Sequence, residues 1–84
     1  MDPAEIERLI TAGLPDAQVR VMSPDNTHFE AVVIAPDFAG KRAIARHQLV
    51  YRCLGERVGN EIHALSIRAH TPEEWAEREV SARD

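Results

Sequence analysis

The chain has one cysteine, no internal repeat and no hydrophobic run long enough to cross a bilayer. The single Cys53 excludes an internal disulfide framework and any metal site built only from cysteines of one chain, and it is typical of a reducing compartment. The first residues are acidic and lack the apolar segment of a signal peptide. We therefore expect a cytoplasmic protein without a membrane partner.

Motifs of common enzymes are also missing. No nucleophile elbow is present, and Gly40-Lys41 lacks the spacing of a phosphate-binding loop. Asp16, Asp25 and Asp37 fall on separate predicted turns and show no catalytic pairing. Cys53 lies within a predicted helix, where a cysteine usually packs as a small apolar residue, although a catalytic thiol is the alternative. We expect no enzymatic activity.

Length and charge favour one small domain. At 84 residues the chain is near the lower limit for independent folding, and a bound partner would add to its stability. The formal net charge of −4 gives no overall attraction to nucleic acid or to an anionic membrane. A local basic surface remains compatible with that charge.

Hydrophobic periodicity and turn signals predict the order α-β-β-α-β-α. Asp2-Pro3 and Thr71-Pro72 each combine a capping residue with a proline at the first helical position, so each predicts a helix start. Gly13 is the predicted stop of the first helix. Alternating or continuous apolar residues predict strands over 17–22, 28–35 and 61–69.

The stretch from Phe38 to Tyr51 begins with a turn signal and continues into the central helix, which we expect to end near Gly59-Asn60. Apolar and aromatic positions recur at spacings of three and four and predict the buried face: Ile44, His47, Val50, Tyr51, Leu54 and Val58. The charged positions predict the solvent face: Arg42, Arg46, Arg52, Glu56 and Arg57.

The four histidines are the residues best suited to metal binding, but their spacing matches no self-contained zinc motif. We expect His47 to be structural and His70 to be solvent-exposed. His28 opens the second strand and His63 lies near the start of the third, so both can lie at one edge of the sheet. From the residues alone, a hydrogen-bonded polar role and a ligand role both stay open for these two.

Several segments together resemble the BolA family, closest to its bacterial IbaG-type branch. The matching segments are Thr27-His28-Phe29, Phe38-x-Gly40-Lys41-Arg42, 46–51, 62–67 and 71–75. The resemblance covers nearly the whole chain. It implies an α+β fold related to the class II KH domain, in the order α-β-β-α-α-β-α, with a three-stranded sheet and helices on one face. The additional short helix would lie near 37–40 or as a break in the long helix. We expect one domain over 1–84, with a frayed tail at 81–84.

The resemblance also implies a function. BolA-like proteins pair with monothiol glutaredoxins and share a bridging [2Fe-2S] cluster, to which the glutaredoxin contributes a cysteine and glutathione a second thiolate. The matching BolA ligands here are His63, from the third strand, and His28, from the loop between the first two strands. Such a protein acts in iron–sulfur trafficking, iron homeostasis or acid and stress response. The cluster is not expected in the isolated chain, which would be a monomer or a weak homodimer.

Histidine ligation has chemical consequences. Two neutral imidazoles on one iron make a cluster less negative than four thiolates and raise its potential. They also make its occupancy sensitive to acid, because a protonated imidazole cannot ligate. This chain departs from some relatives in having no cysteine in the loop, where only His28 or water can ligate, and Asn26-Thr27 replaces the more usual Gly-Ser.

A DNA-binding transcriptional regulator is the alternative function. The segment 38–58 is similar to a helix-turn-helix and carries five basic residues, Lys41, Arg42, Arg46, Arg52 and Arg57, of which the first four are the predicted nucleic-acid contacts. The acidic net charge and the absence of a Gly-x-x-Gly loop disfavour this alternative.

Overall fold

Three helices and a three-stranded mixed sheet form the protein, as seen in a computed structural model that describes residues 1–59, 62 and 64–82, with side chains through residue 78. The helices are α1 (Pro3–Gly13), α2 (Ala43–Leu54) and α3 (Pro72–Ala82), and the strands are β1 (Gln18–Met22), β2 (His28–Ile34) and β3 (Ala64–His70). Short 3-10 turns at Pro36–Phe38 and Gly55–Arg57 flank α2. The α+β fold class is confirmed, and the two turns occupy both places expected for an additional short helix.

The sheet has the order β1-β2-β3, with β1 antiparallel and β3 parallel to the central strand. Alternation along β2 separates two faces, because successive side chains point to opposite sides. Phe29, Ala31 and Val33 are buried, whereas His28 and Glu30 are exposed. The nearly continuous apolar run of this segment therefore correctly predicts the central strand, and its polar start lies on the outer face.

The core lies between the inner face of the sheet and helices α1 and α2. Ile6 and Ile10 of α1 and Val50 and Leu54 of α2 are fully buried there, together with Phe38 from the first 3-10 turn. Asp2 caps α1 as predicted, since its carboxylate accepts from the backbone N–H of Ala4 at 3.1 Å. These two helices leave the opposite face of the sheet uncovered at its His28 end, where a groove opens.

The buried face of α2 differs from the predicted one. Val50 and Leu54 are buried and His47 and Val58 are half-buried, but Ile44 is 71% and Tyr51 40% exposed. The stripe that packs inward instead passes through Leu49 and Cys53, because α1 lies against that side. The hydrophobic periodicity therefore predicts the helix correctly, but it does not predict which side of the helix faces the core. The helix also ends earlier than expected, at Gly55, whose φ of +60° suits glycine.

Arg46 does not lie on the solvent face of α2, where the sequence predicts it. Its side chain is only 13% exposed and forms an ion pair with Glu74, with N···O distances of 2.6 and 3.0 Å. The same guanidinium donates to the carbonyls of Lys41 and Ala69. Glu74 also accepts from the backbone N–H of Thr71 at 3.0 Å, while its own N–H donates to the Thr71 hydroxyl. One cation thus joins α2, the end of β3 and the first turn of α3.

His70 is not solvent-exposed as predicted. It is half-buried, its ring centroid lies 5.5 Å from that of Trp75, and its Nε2 is buried without a described hydrogen-bond partner. Helix α3 packs beside the end of β3 and brings Trp75 over this ring. The helix extends through Ala82, two residues into the tail expected to fray, and residues 83 and 84 lie outside the described chain.

Helix α1 ends at Gly13 as predicted, and this glycine is also required for the packing of α1 against α2. A Cβ atom at this position would overlap Sγ of Cys53 and lie 3.2 Å from its Cβ. We expect Gly13→Ala to lower the free energy of unfolding, because overpacking costs about 1–3 kcal/mol and outweighs a helix-propensity gain of at most about 1 kcal/mol. Urea denaturation measures this. In a Cys53→Ala background the loss should shrink, and an equal loss in both backgrounds would contradict the contact.

The Glu74 pair predicts acid sensitivity. Its hydrogen bonds with Arg46 and then with Thr71 lower the pKa of Glu74 from 4.5 to about 2. A carboxyl with a lowered folded pKa stabilises the fold above its unfolded pKa, and this contribution is lost as the pH falls through the folded value. We therefore expect Glu74→Gln to be less stable than wild type at neutral pH, with the difference shrinking between pH 4.5 and 2.

Urea curves across that pH range measure the effect, with Glu73→Gln as the matched control. Glu73 is an exposed carboxylate on the same turn, outside the Arg46 pair. A difference between wild type and Glu74→Gln that stays constant from pH 7 to 2 would contradict the assignment.

Candidate functional site

The loop between β1 and β2 positions His28 at the start of the central strand. Its side chain is 69% exposed and lies on the outer face of the sheet. Asn26 adopts a φ of +58°, a left-handed conformation that asparagine tolerates better than most residues. The hydroxyl of Ser23 donates to the carbonyl of His28 and accepts from the backbone N–H of Asn26. The loop is thus closed by its own side chains.

Asp25 organises the same loop. One carboxylate oxygen accepts from the backbone N–H groups of Thr27 at 3.0 Å and His28 at 2.9 Å. The other oxygen lies 2.9 Å from Nδ1 of the His28 ring. These hydrogen bonds, from His28 first, hold the pKa of Asp25 well below its usual range. Asp25 therefore stays ionised and fixes both the backbone and the imidazole of His28.

A groove of about 580 Å³ opens beside this imidazole. It is lined by the end of β1 and the following turn, the start of β2 and the start of β3: Met22, Ser23, Pro24, His28, Phe29, Glu30, Ala64 and Ser66. Ala64 is the register partner of His28, and Ser66 is that of Glu30. The groove is therefore the place where the first residues of two parallel strands meet.

His63, the other predicted ligand, lies outside the described residues, so its role stays a prediction. Strand β3 begins at Ala64, the residue that follows His63 in the sequence, and Ala64 pairs with His28. Among the described residues no group of three or more His, Cys, Asp or Glu side chains could hold a metal ion. Any metal bound at His28 would therefore need ligands from beyond that described set.

The chemistry of His28 fits such a shared site. Its imidazole is exposed, its Nδ1 is taken by Asp25, and no described residue hydrogen-bonds its Nε2. Cys53 does not fit: it is half-buried on α2, donates to the carbonyl of Leu49 at 3.3 Å, and has its pKa raised, chiefly by burial. A protonated thiol in that position is a packing group, as the sequence predicts.

The basic residues of the DNA-binding alternative are divided by the structure. Lys41, Arg42 and Arg52 are exposed on α2 or just before it, whereas Arg46 is held by Glu74. Sequence reasoning missed two of the organising residues, Asp25 and Glu74. The signal for Asp25 was its position three residues before His28 in a turn, and that for Glu74 was the capping pattern Thr71-x-x-Glu74.

None of the described helices combines the length and the apolar character needed to cross a bilayer. The sequence model of the BolA-like protein family matches residues 12–74. The acid stress protein IbaG of Escherichia coli K12 is 38% identical over 77 residues, which cover 90% of each chain. The solved structure of a bolA protein homologue from Coxiella burnetii shares 42% identity, with a TM-score of 0.76, over 90% of this chain and 97% of that one.

A third similarity covers a shorter segment. The DNA-binding transcriptional regulator BolA of Vibrio cholerae is 45% identical over 49 residues, which are 58% of this chain and 46% of that protein. The match thus spans about half the length of that relative. With the family match over most of the sequence, and similarity to IbaG over nearly all of it, this chain belongs to the BolA family, in its bacterial IbaG-type branch.

Proposed function

We propose that the protein is an adaptor that binds a monothiol glutaredoxin and shares a bridging [2Fe-2S] cluster with it, with His28 and His63 as its ligands. The observation that carries this proposal is the exposed imidazole of His28, held by Asp25 beside an open groove. Family membership supports the proposal, because the resemblance assigns a cluster ligand to this loop and another to the third strand.

The donor set of the chain explains why a partner is needed. Iron–sulfur clusters are held by thiolates, with imidazole replacing two of them in Rieske-type centres. Cys53 is the only cysteine, and its half-buried thiol is raised in pKa. The chain therefore offers imidazole nitrogens and no suitable thiolate. A partner that carries an active-site cysteine, together with glutathione, supplies the missing sulfur ligands.

Imidazole ligation also suits a role in acid stress, the response for which the IbaG relative is named. A protonated imidazole has no lone pair to give to iron, so acid favours release of the cluster. In this proposal the protein transmits a fall in pH as a change in cluster occupancy. The protein acts in trafficking rather than in catalysis.

We expect the His63→Gln variant to lose most of the cluster from the heterodimer. We expect the His28→Gln variant to form a cluster that is more labile than that of wild type. In each case glutamine cannot replace the imidazole as a ligand. The measurement is anaerobic co-purification with a monothiol glutaredoxin and glutathione, followed by visible absorption and circular dichroism. His47→Gln is the matched control, since His47 is half-buried on α2 and does not line the groove.

The experiment tests the ligand assignment of His63 separately from the adaptor proposal. If His63→Gln leaves the spectrum and the lability of the cluster unchanged, His63 is not a ligand. If no cluster forms with any wild-type preparation, the adaptor proposal itself is wrong. A spectrum altered equally by His47→Gln would indicate a general structural effect instead of ligand loss.

DNA binding is the second candidate function, favoured by the name of the Vibrio cholerae relative and by three exposed cations at α2. Lys41, Arg42 and Arg52 are free of the Glu74 ion pair that holds Arg46. Three phosphate contacts would give a slope of about −3 for log K against log salt concentration, since each contributes about −0.9.

We expect Lys41→Ala to reduce the magnitude of that slope by about 1 if this surface binds phosphates. Fluorescence anisotropy with a labelled DNA duplex across a salt series measures it. Arg20→Ala, which removes an exposed cation from the outer face of β1, is the control and should leave the slope unchanged. Absence of binding at low salt would remove this candidate.

A further inference from the structure

We infer that Asp25 is a positioning residue that sets the tautomer of His28, keeping the proton on Nδ1 and presenting the lone pair of Nε2 to the groove. The proposed function supplies the identity of the incoming group, a bridging iron–sulfur cluster. The tautomer itself is a property of the chain alone, so the inference adds which nitrogen binds and which side chain selects it.

The first step is the chemistry of the contact. Nδ1 of His28 lies 2.9 Å from Oδ2 of Asp25, a hydrogen-bond distance. An ionised carboxylate only accepts hydrogen bonds, so the ring nitrogen facing it must carry the proton. In a neutral imidazole the second nitrogen is then unprotonated, and its lone pair is available to a metal.

The second step is the rigidity of Asp25. Its other oxygen, Oδ1, accepts from the N–H groups of Thr27 and His28, so both ends of the carboxylate are engaged. The hydroxyl of Ser23 adds a third restraint on the loop, because it donates a hydrogen bond to the carbonyl of His28. The carboxylate therefore cannot rotate away from the ring without breaking two backbone hydrogen bonds.

The third step is the accessibility of the second ring nitrogen, Nε2. His28 begins β2 on the outer face, is 69% exposed and lines the groove with Ala64. No described residue hydrogen-bonds Nε2. Carboxylates that hold the distal nitrogen of a metal-bound histidine fix its orientation and increase its basicity. Asp25 supplies this arrangement before any metal arrives.

The substitution Asp25→Asn tests this assignment with little change in shape. The amide keeps an oxygen for the two backbone N–H groups and places an NH₂ donor against Nδ1. A donor there requires the lone pair on Nδ1, so the proton should move to Nε2. Asp16→Asn is the matched control. Asp16 is an exposed aspartate on the turn before β1, and its substitution removes the same charge as Asp25→Asn.

Long-range ¹H–¹⁵N correlation spectra of the full-length, cluster-free protein, recorded at a pH where the imidazoles are neutral, give the tautomer directly. Individual His→Gln variants assign the four histidines. We expect the unprotonated ¹⁵N signal of His28 at Nε2 in wild type and in Asp16→Asn, and at Nδ1 in Asp25→Asn. An Nε2–H tautomer in wild type, or an unchanged one in Asp25→Asn, overturns the inference.

The wild-type measurement decides the tautomer even if Asp25→Asn fails to fold. In the heterodimer with glutaredoxin, Asp25→Asn should lower cluster retention by about tenfold or more, the usual effect of losing such a partner. A wild-type Nδ1–H tautomer without any cluster would contradict the proposed function alone. A cluster that forms on a His28 with protonated Nε2 in the free chain would contradict the present inference alone.

Discussion

The alternation of side chains along β2 is the constraint on which the rest of the structure depends. Phe29, Ala31 and Val33 face the helices and form the centre of the core, so the residues between them must face outward. His28 and Glu30 are on that outer face because the core holds the register of the strand. A slip of one residue would bury the imidazole and expose the phenylalanine.

Pairing with β3 then completes the groove. The parallel register places Ala64 opposite His28 and Ser66 opposite Glu30, both small residues. Small side chains at the start of β3 leave open the space beside the imidazole. The same strand ends at His70, where its backbone carbonyl accepts from Ala35 and its ring meets Trp75. One end of the sheet is thus open and the other is covered.

Arg46 secures the covered end. It donates to two backbone carbonyls and to Glu74, so it takes part in the fold rather than in the solvent-facing surface of α2. An arginine suits this place because its planar, permanently charged group can satisfy several acceptors at fixed geometry. The segment that resembles a helix-turn-helix therefore contains a structural cation among its exposed ones. This division separates the part of α2 that stabilises the protein from the part that could meet a partner.

The open end carries the chemistry. A loop closed by Ser23 and Asp25 presents one imidazole with its orientation set in advance. Preorganisation of this kind lowers the cost of binding, because the ligand side chain has already lost its freedom. In the proposed function the chain contributes nitrogen donors beside this groove, and the sulfur donors come from the partner and glutathione.

Local sequence determined the elements of this protein and the starts of α1 and α3. Asp2-Pro3, Thr71-Pro72 and the apolar run of β2 act through neighbours in the chain, and the recurring motifs were sufficient to indicate the BolA family before any coordinates. Only the tertiary structure decided the rotation of α2, the burial of Arg46 and the function of Gly13, because each depends on a helix or strand distant in sequence. The exposure of Ile44 shows why spacing alone is insufficient. Spacing predicts an apolar stripe along the helix, but the position of the neighbouring helix decides which stripe is buried. The bond between Asp25 and His28 likewise required the folded loop, since a spacing of three residues does not by itself bring a carboxylate to a ring nitrogen.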